Sequence, residues 1–377
     1  LENEKKRKEM ERNAYHYTRH MTWQNVAASY GRIFNEILKE QNVQIKELPK
    51  ISIKYLVNLT DEFGILQFAN QSIPDKNSGY TLDDNARALL TCAMYYEKFR
   101  EYKQLRLIKT YLDYIKFVKK EDGKLYNFVD KYKIIKDAWS EDAHGRALWA
   151  LGYFSSLSPE IIPKDLKYKA ERIFLDSLPA VSIMRSPRAI AFAIAGLYYF
   201  NKNRNDQNLI VNIKKLADIL ISHYNSNSNK NWEWFEQYLT YSNSKLSEAL
   251  FLAYDSTKEE HYLEIASKTL DFLISKTFEN SMFVPIGQRG WYVKDKERAY
   301  FDQQPIEAGY TVQTLITAHK ITNKDIYRRY AINAFEWFLG KNLLKQTIYN
   351  DETGGCHDGL GENSINLNQG AEATVSY

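Results

Sequence analysis

Six short clusters of polar residues recur along this chain of 377 residues, and each cluster runs directly into an apolar stretch rich in alanine. The clusters begin at Asp83, Glu141, Arg185, Tyr241, Gln303 and Asn368. Their intervals of roughly 45 to 65 residues leave room for one further helix in each step, and periods of this length are typical of stacked helical hairpins. The repeat therefore restricts the chain to a ring or array of two-helix units that carry their polar residues at the same end.

The spacing of apolar residues predicts two helices for each unit. The helices that precede the clusters are predicted at 53–68, 105–119, 166–178, 209–224, 262–276 and 326–339. The helices that follow the clusters are predicted at 82–98, 142–157, 188–200, 244–255, 306–320 and from 370 onward. Six pairs of helices is the number in an (α/α)6 toroid. We therefore predict an all-α fold of this kind for residues 49–377, preceded by a helical extension over residues 1–48.

The two kinds of helix differ in composition. Helices that follow the clusters are small and apolar all round, as in the run Ala189, Ala191, Ala193 and Ala195, whereas the preceding helices are amphipathic. A helix without a polar face is surrounded by other helices, so the first kind is predicted to form an inner ring and the second an outer ring. The clusters then lie at the N-termini of the inner helices, where free N–H groups and the helix dipole favour carboxylates and anionic ligands.

Composition indicates a globular protein and argues against several classes of function. With 44% hydrophobic residues the chain can bury a large core, and it lacks the run of about 18 apolar residues that a membrane span needs. The net charge of +4 is spread along the chain and gives no reason to expect nucleic acid. Cys92 and Cys356 are too few for a disulfide framework and lack zinc-site spacing. We expect a cytoplasmic protein with no metal and no cofactor.

Both ends of the chain have features of a cut in a longer protein. The chain begins at Leu1 without an initiator methionine, and residues 371–377 read as the opening of a further helix. Residues 1–48 are highly charged, and the apolar residues of 25–38 fall on one face of a predicted helix. Pro49 closes the Lys/Glu-rich linker after this helix. We therefore expect the extension to be the tail of a module that precedes the toroid.

Three motifs carry a resemblance to a known class of proteins. The motifs are Asp83-Asp-Asn-Ala-Arg87, Ser140-Glu-Asp-Ala-His-Gly-Arg-Ala-Leu-Trp-Ala-Leu-Gly152 and Asn366-Leu-Asn-Gln-Gly-Ala-Glu372. They resemble the toroid domain of bacterial carbohydrate-active proteins of the six-hairpin glycosidase type, over roughly residues 50–377. Separately, residues 21–38 resemble the final helix of a group-one GT-B glycosyltransferase. This second resemblance implies a fused glycosyltransferase module upstream.

A glycosidase needs two carboxyl groups across a cleft, one to protonate the leaving oxygen and one to activate water or attack the anomeric carbon. Asp84 and Asp142, from neighbouring clusters, are the first candidates for this pair. Glu307 and Glu372 occupy the corresponding place in the fifth and sixth clusters, so either is also a candidate. Further candidates for the second carboxylate lie in the preceding loops: Asp302, Glu236 and Asp358. One sequence cannot rank these acids, because their separation is a property of the fold.

Further residues in or beside the clusters are expected to contact a sugar, since amides and carboxylates bind hydroxyl groups and aromatic faces stack on sugar rings. They are Asp83, Arg87, Glu141, His144, Arg146, Arg188, Trp234, Gln304, His357, Asp358 and Gln369. Two structural alternatives stay open: Asp83 and Glu141 as helix caps, and the arginines as partners of nearby acids that lock neighbouring hairpins together.

Three functions remain possible from the sequence. The first is a glycoside hydrolase acting on an oligosaccharide or glycoconjugate through paired carboxylates. The second is a glycan-binding or accessory domain that serves a fused glycosyltransferase without catalysis of its own. The third is a sugar epimerase or isomerase, which would need two histidines at the site for proton transfer on both faces of the sugar. His144 and His357 are the candidates for that role.

Overall fold

The computed structural model describes residues 4–18, 30, 48–136 and 138–377. Thirteen α-helices lie in this part of the chain: α1 Glu4–Thr18, α2 Lys54–Leu59, α3 Leu82–Phe99, α4 Lys103–Phe117, α5 Glu141–Ser156, α6 Lys164–Ser177, α7 Pro187–Asn201, α8 Gln207–Asn227, α9 Ser244–Thr257, α10 Glu260–Thr277, α11 Pro305–Thr322, α12 Asp325–Glu336 and α13 Ala371–Ser376. A 3-10 helix, Leu178–Ile183, follows α6. The predicted helix at 25–38 and the segment that resembles a glycosyltransferase helix fall, apart from Tyr30, outside the described residues.

The odd-numbered helices from α3 to α13 form a closed inner ring. Each packs against the next around the ring, and α13 packs against both α11 and α3. The even-numbered helices from α2 to α12 lie outside them, each packed against at least one inner helix. The two-ring arrangement predicted from the repeat is confirmed. No helix in the described residues combines the length and the apolar character needed to cross a bilayer.

Glycines bring α5 and α7 into close contact. A Cβ atom added at Gly152 of α5 would lie 2.1 Å from the carbonyl oxygen of Gly196 in α7, and one at Gly145 would lie 2.6 Å from the carbonyl oxygen of Ala189. Only glycine allows backbones to approach so closely. Together with the alanines of α7, these residues set the width of the inner ring beside the second and third clusters.

Hydroxyl side chains cap the helices of the first two clusters. Thr81 precedes α3 and accepts a hydrogen bond from Asp84 N at 3.1 Å, and Ser140 precedes α5 and accepts one from Ala143 N at 3.4 Å. Such a cap stabilises a helix by about 1 kcal/mol. The alternative that Asp83 and Glu141 cap these helices is therefore wrong. Both carboxylates instead accept hydrogen bonds from residues of neighbouring repeat units.

The first outer helix is much shorter than the predicted helix at 53–68. Helix α2 ends at Leu59, and the Asp61 side chain then accepts hydrogen bonds from the N–H groups of Phe63 and Gly64. A Cβ at Gly64 would lie 2.6 Å from Oδ1 of Asn85, so the chain must turn here to pack against α3. Aspartate and glycine favour turns over helix continuation, and they outweigh the apolar spacing.

Short antiparallel pairs of strands hold the loops between the helices. The strands are β1 Ala69–Asn70, β2 Ile73–Pro74, β3 Tyr80–Thr81, β4 Phe128–Val129, β5 Tyr238–Leu239, β6 Phe278–Glu279, β7 Met282–Phe283, β8 Tyr292–Val293, β9 Tyr349–Asn350, β10 Gly355–Cys356, β11 Gly359–Leu360 and β12 Ile365–Asn366. Two pairs join different loops, because Tyr80 faces Val129 and Tyr238 faces Val293. The long loops that precede α5 and α11 are therefore tied to the loops before α3 and α9.

Candidate active site

The N-terminal ends of the inner helices meet at one end of the ring, which we call the mouth. Oε2 of Glu141 on α5 accepts a hydrogen bond from Ser186 N, beside α7, at 2.7 Å. Nη1 of Arg146 on α5 donates to Oδ1 of Asp83 on α3, also at 2.7 Å. The predicted placement of polar residues at one end of each repeat unit therefore agrees with the contacts between clusters.

Two adjoining cavities form a cleft in the mouth. The first lobe has a volume of about 380 Å³ and the second about 550 Å³. Both lobes are lined by the same five residues at their junction: Asp83, Arg87, Gln288, Gln304 and Glu372. Volumes of this order are typical of small-molecule sites in proteins. The cleft is thus one continuous site with a shared centre.

Arg87 lies at the junction and brings two carboxylates together. Its Nη1 is 3.2 Å from Oδ1 of Asp84, its Nη2 is 3.0 Å from Oε2 of Glu372, and its Nε donates to the Tyr310 hydroxyl at 3.3 Å. Since one guanidinium group contacts both acids, the two oxygens are at most roughly 9 Å apart. Paired-carboxylate glycosidases place their two carboxyl groups no more than about 9.5 Å apart. Asp84 belongs to the first cluster and Glu372 to the sixth, so Arg87 links two different clusters.

Asp84 is held in a form that can keep a proton near neutral pH. Its side chain is buried, and Oδ2 accepts a hydrogen bond from the Thr81 hydroxyl at 2.6 Å. Burial raises the pKa of Asp84 to about 7, because loss of hydration and the charge of Glu372 outweigh the opposing charge of Arg87. Glu372 remains partly accessible, with a side chain that is 43% exposed.

Asp83 has the opposite electrostatic environment although it is the neighbour of Asp84 in the chain. Burial alone would raise the pKa of Asp83, but the charges of Arg146 and Arg87 outweigh burial, so the pKa is lowered. The Arg146 guanidinium also stacks over the Phe192 ring at 4.5 Å. The pKa values of the two adjacent aspartates are therefore shifted in opposite directions.

Asp142 and Glu141 line the second lobe and are held by hydrogen bonds. Asp142 accepts from the Ser186 hydroxyl at 2.7 Å and from the Tyr241 hydroxyl at 2.8 Å. Oε2 of Glu141 accepts from the backbone N–H of both Arg185 and Ser186. The two acids join α5 to the loops before α7 and α9, while remaining part of the cleft lining.

Asp358 faces the first lobe from the loop before α13. Its Oδ1 accepts a hydrogen bond from Gly370 N at 2.6 Å. Burial raises the pKa of Asp358 to about 6, with a further contribution from the charge of Glu372. Two of the acids in this lobe, Asp84 and Asp358, thus have raised pKa values and share Glu372 as a neighbour.

The cleft carries more negative than positive side chains. Its two cationic lining residues are Arg87 and Arg146, and both are bound to acids. Its acidic lining residues are Asp83, Asp84, Glu141, Asp142, Asp302, Asp358 and Glu372. Within the described residues, no three or more His, Cys, Asp or Glu side chains are arranged to hold a metal ion.

Glu307, predicted as a possible catalytic acid, does not line the cleft. It is buried, and its carboxylate accepts hydrogen bonds from Ser242 N and from Nδ2 of Asn243. Burial raises the pKa of Glu307 to about 7, although these hydrogen bonds and the Arg188 charge oppose the shift. Its contacts join α11 to the loop before α9.

The two histidines predicted for an epimerase lie away from the cleft lining. His144 is fully buried; its Nδ1 accepts from Leu125 N, and its Nε2 lies 3.0 Å from the carbonyl oxygen of Ser177. Burial lowers the pKa of His144 to about 4. His357 is also buried, with Nδ1 3.0 Å from the carbonyl oxygen of Leu367. The expectation that these histidines contact substrate is corrected, because neither lines the cleft: His144 binds backbone groups through both ring nitrogens, and His357 binds one through Nδ1.

Three more predicted contacts prove to be packing or pairing residues. Arg188 is buried, donates from Nη1 to both oxygens of Glu236 and from Nε to the carbonyl of Tyr241, and does not line the cleft. Trp234 is fully buried in the hydrophobic core. Gln369 is buried and accepts a hydrogen bond from the Thr353 hydroxyl at 2.7 Å. For Arg188 the alternative of an ion pair that joins loops is the one observed.

Several lining residues come from long loops that the repeat did not single out. They include Gln67, Phe68, Asn127, Gln288 and Asn366. Asn127 belongs to a cross-loop contact, because its Oδ1 accepts from Asp83 N at 3.3 Å. Amide side chains are a predicted type of sugar ligand, but these particular residues lie in loops whose sequence has no helical periodicity, so the repeat did not identify them. The Trp291 side chain in the second lobe is signalled only by its aromatic character.

Several solved structures of other proteins have a similar fold. The match to a sugar epimerase from a ruminal bacterium covers 91% of this chain and 97% of the epimerase chain, with a TM-score of 0.64 and 14% sequence identity. The match to a D-mannose isomerase covers 85% of this chain and 93% of the isomerase chain, with a TM-score of 0.65 and 12% sequence identity. An α-1,6-mannanase of Salegentibacter sp. HEL1_6, in complex with α-1,6-mannotetrose, covers 86% and 93%, with a TM-score of 0.58 and 15% identity.

The chain is an (α/α)6 toroid. The solved structures similar to it include epimerases, an isomerase and glycosidases, all of them carbohydrate-active. At these low identities the similarity establishes the fold and leaves the reaction to the chemistry of the site. No family model and no curated protein sequence matches this chain.

Proposed function

We propose that this toroid is a carbohydrate-active enzyme that hydrolyses a glycosidic bond, with Asp84 and Glu372 as its pair of carboxyl groups. The observation that carries the proposal is the bridge through Arg87, a junction residue that contacts both Asp84 in the first lobe and Glu372 at the junction. Glycosidic hydrolysis requires two carboxyl groups close together, one that donates a proton and one that acts as base or nucleophile.

Asp84 is assigned as the general acid. A carboxyl group with a pKa of about 7 is protonated in about half of the molecules at neutral pH, so it can donate a proton to the leaving oxygen. Glu372 is assigned as the carboxylate that activates water or attacks the anomeric carbon, since its side chain is partly exposed to the cleft. Arg87 is a positioning residue that orients both acids.

Asp142 is the second candidate for the ionised carboxylate. It lines the second lobe, and it forms with Glu141 the other pair of adjacent acids in the cleft. One of the similar structures is an inactive α-1,6-mannanase variant in which two consecutive aspartates are replaced by alanine. That observation supports consecutive acids as catalytic groups on this fold, and the chain offers Asp83-Asp84 and Glu141-Asp142.

The alternative epimerase function has less support from the geometry. Two-sided proton transfer needs two titratable bases beside the sugar, and both predicted histidines bind backbone groups away from the cleft. The residues that line the two described lobes include no histidine. An epimerase acting here would have to use carboxylates as its bases.

The decisive experiment is a screen of the chain against a library of fluorophore-labelled oligosaccharides, read out by product release. We expect release from at least one glycan, and loss of release in the Asp84→Asn variant. Isomerised sugar without bond cleavage, detected by NMR, would favour the epimerase. Binding without any turnover would favour the second candidate, a glycan-binding accessory domain.

We further propose that the domain acts beside a fused glycosyltransferase, on the basis of the sequence of residues 21–38. Such a fusion would place synthesis and trimming of one glycan on a single polypeptide. Glycosyl transfer measured with the natural full-length protein, and absent from residues 50–377 alone, is the expected result. A full-length protein without any transferase module would contradict it.

A further inference from the structure

We infer that the cleft binds a linear, uncharged oligosaccharide that runs across both lobes, so that sugar units lie on each side of the Asp84–Glu372 pair. Binding across the lobes depends only on the shape and lining of the cleft. The consequence that an internal bond is cleaved rests, in addition, on the hydrolytic function proposed above.

The position of the acid pair gives the first step. Arg87 and Glu372 belong to the lining of both lobes, whereas Asp84 and Asp358 belong to the first and Asp142 to the second. An exo-acting site encloses the end of a chain, with the catalytic groups near a closed wall. Here the shared residues lie between two cavities of about 380 and 550 Å³, which leaves space on both sides of the reacting bond.

Each lobe has an aromatic side chain in its lining. Phe68 lines the first lobe with 53% of its surface exposed, and its backbone is fixed by hydrogen bonds with Ser78 and Asp75. In the second lobe Trp291 lies beside Tyr241, with 6.5 Å between ring centroids. Phe68 is exposed and Trp291 is half-buried against the core, and rings that line a cleft on a fixed backbone are suited to stack on the apolar faces of sugar rings.

The backbone at Trp291 supports a functional role for this side chain. Trp291 has a φ of 58°, a left-handed conformation that bulky residues rarely adopt. Its N–H donates to the carbonyl of Gly287, and its carbonyl accepts from Ala299 N at 2.8 Å. Strained backbone that the surrounding structure holds in place concentrates at functional sites. The loop therefore fixes a tryptophan in the second lobe at a conformational cost.

Charge defines the class of glycan. The cleft has seven acidic lining residues and two arginines, and both arginines already bind acids. A uronic acid or sulfated sugar would meet this excess of negative charge without a free cation to pair with, and unpaired like charges are costly at close range. Neutral hydroxyls can instead donate to carboxylates such as Asp302 and Asp358.

Isothermal titration of the Asp84→Asn protein against neutral linear oligosaccharides of one to six units tests the inference without consuming the ligand. The panel contains α-1,6- and β-1,4-mannosyl and α-1,4- and β-1,4-glucosyl series, with oligogalacturonates as charged probes. In at least one neutral series we expect affinity to rise about tenfold or more from the disaccharide to the tetrasaccharide. Oligogalacturonates should show no binding.

Ring-removal variants locate the contacts. Phe68→Ala and Trp291→Ala are each expected to weaken tetrasaccharide binding about 3- to 10-fold, and Trp291→Phe should restore most of the loss. Tyr102→Ala, which removes a side chain that is 81% exposed and lines neither lobe, is the matched control. Equal affinity for disaccharide and tetrasaccharide, or either lobe variant matching the control, would overturn the inference, as would no binding by any neutral series.

The wild-type protein separates this inference from the proposed function. Products of intermediate length from a hexasaccharide support both binding across the two lobes and hydrolysis. Length-dependent binding without any cleavage retains the inference and rejects hydrolysis. Release of single terminal units alone, with affinity that stops rising at the disaccharide, retains hydrolysis and rejects binding across both lobes.

Discussion

The mouth has an open half, formed by the N-terminal ends of α13, α3 and α5, and a closed half, formed by those of α7, α9 and α11. In the open half the acids Glu372, Asp84 and Asp142 line the cleft. In the closed half Glu307 and Glu236 are bound to backbone groups or to an arginine and do not line the cleft, and the acid that lines it on this side is Asp302, from the loop before α11. Acids at equivalent positions of one repeat therefore differ in whether they line the cleft.

Burial of ion pairs explains why the closed half is structural. Arg188 and Glu236 form a buried pair, and Lys245 binds Glu248 while its Nζ lies 3.8 Å from the Trp149 ring centroid. A buried charge costs several kcal/mol in lost hydration unless its partner is held in place. These pairs thus fix the relative position of helices and loops, but they offer no free group to a ligand.

The largest difference between the halves should appear in turnover. Asp84→Asn keeps the shape of the side chain but removes its proton, so we expect turnover of the cleaved oligosaccharide to fall about 10²- to 10⁴-fold, the usual contribution of a general acid. Product release from the labelled glycan, per folded molecule, measures the effect.

Glu307→Gln is the matched control for this prediction. Glu307 has the same raised pKa of about 7 as Asp84 but does not line the cleft. We expect its turnover to stay within about threefold of the wild-type value. Equal losses in the two variants would remove the distinction between an open and a closed half.

Stability should respond most strongly in the closed half. Arg188→Met leaves Glu236 buried without its partner, so we expect the free energy of unfolding to fall by about 3 to 5 kcal/mol. Urea unfolding followed by circular dichroism measures this loss. The double variant with Glu236→Met should recover more than half of it; no recovery would mean that the pair is not the source of the effect.

The pH dependence of stability sharpens the comparison further. Glu307 has a native pKa of about 7 against an ordinary value of 4.5, so the folded protein binds its proton more tightly than the unfolded chain does. Stability from this group is therefore complete below about pH 4.5 and is lost as pH rises to about 7, by roughly 3 kcal/mol. The unfolding free energy of Glu307→Gln should show a correspondingly smaller fall between pH 5 and pH 8. An unchanged slope would contradict the assignment.

The extent of the sequence prediction follows from what periodicity encodes. The inner helices were predicted well because the spacing of their apolar residues and the small residues of α5 and α7 are local signals, although the caps prove to be Thr81 and Ser140 instead of Asp83 and Glu141. Once these helices are predicted, the position of Asp84 and Asp142 at the mouth can be predicted too, since both occupy the first turn of their helices. The helix at 53–68 was wrong because a turn interrupts its apolar pattern.

The remaining errors have a different cause. His144 lies only two residues after Asp142, yet it is buried while Asp142 lines the cleft, because successive helical residues point in different directions. Trp234 and Gln288 come from loops whose course depends on contacts with other loops. Which of two such residues enters the cleft is decided by tertiary packing, which a single sequence does not display.

Tyr241 tests the boundary between the halves, and the expected effect is the smallest. Its hydroxyl donates to Asp142 at 2.8 Å, while its ring lies 4.7 Å from the Arg188 guanidinium carbon. Tyr241→Phe removes only the hydrogen bond, so stability should fall by about 1 kcal/mol. Because Asp142 lines the second lobe, loss of this donor should also weaken binding of a tetrasaccharide about two- to fivefold, with disaccharide binding in the first lobe unchanged. Calorimetry on the Asp84→Asn background distinguishes the two effects, and a stability loss without any change in tetrasaccharide affinity would assign Asp142 to the closed half.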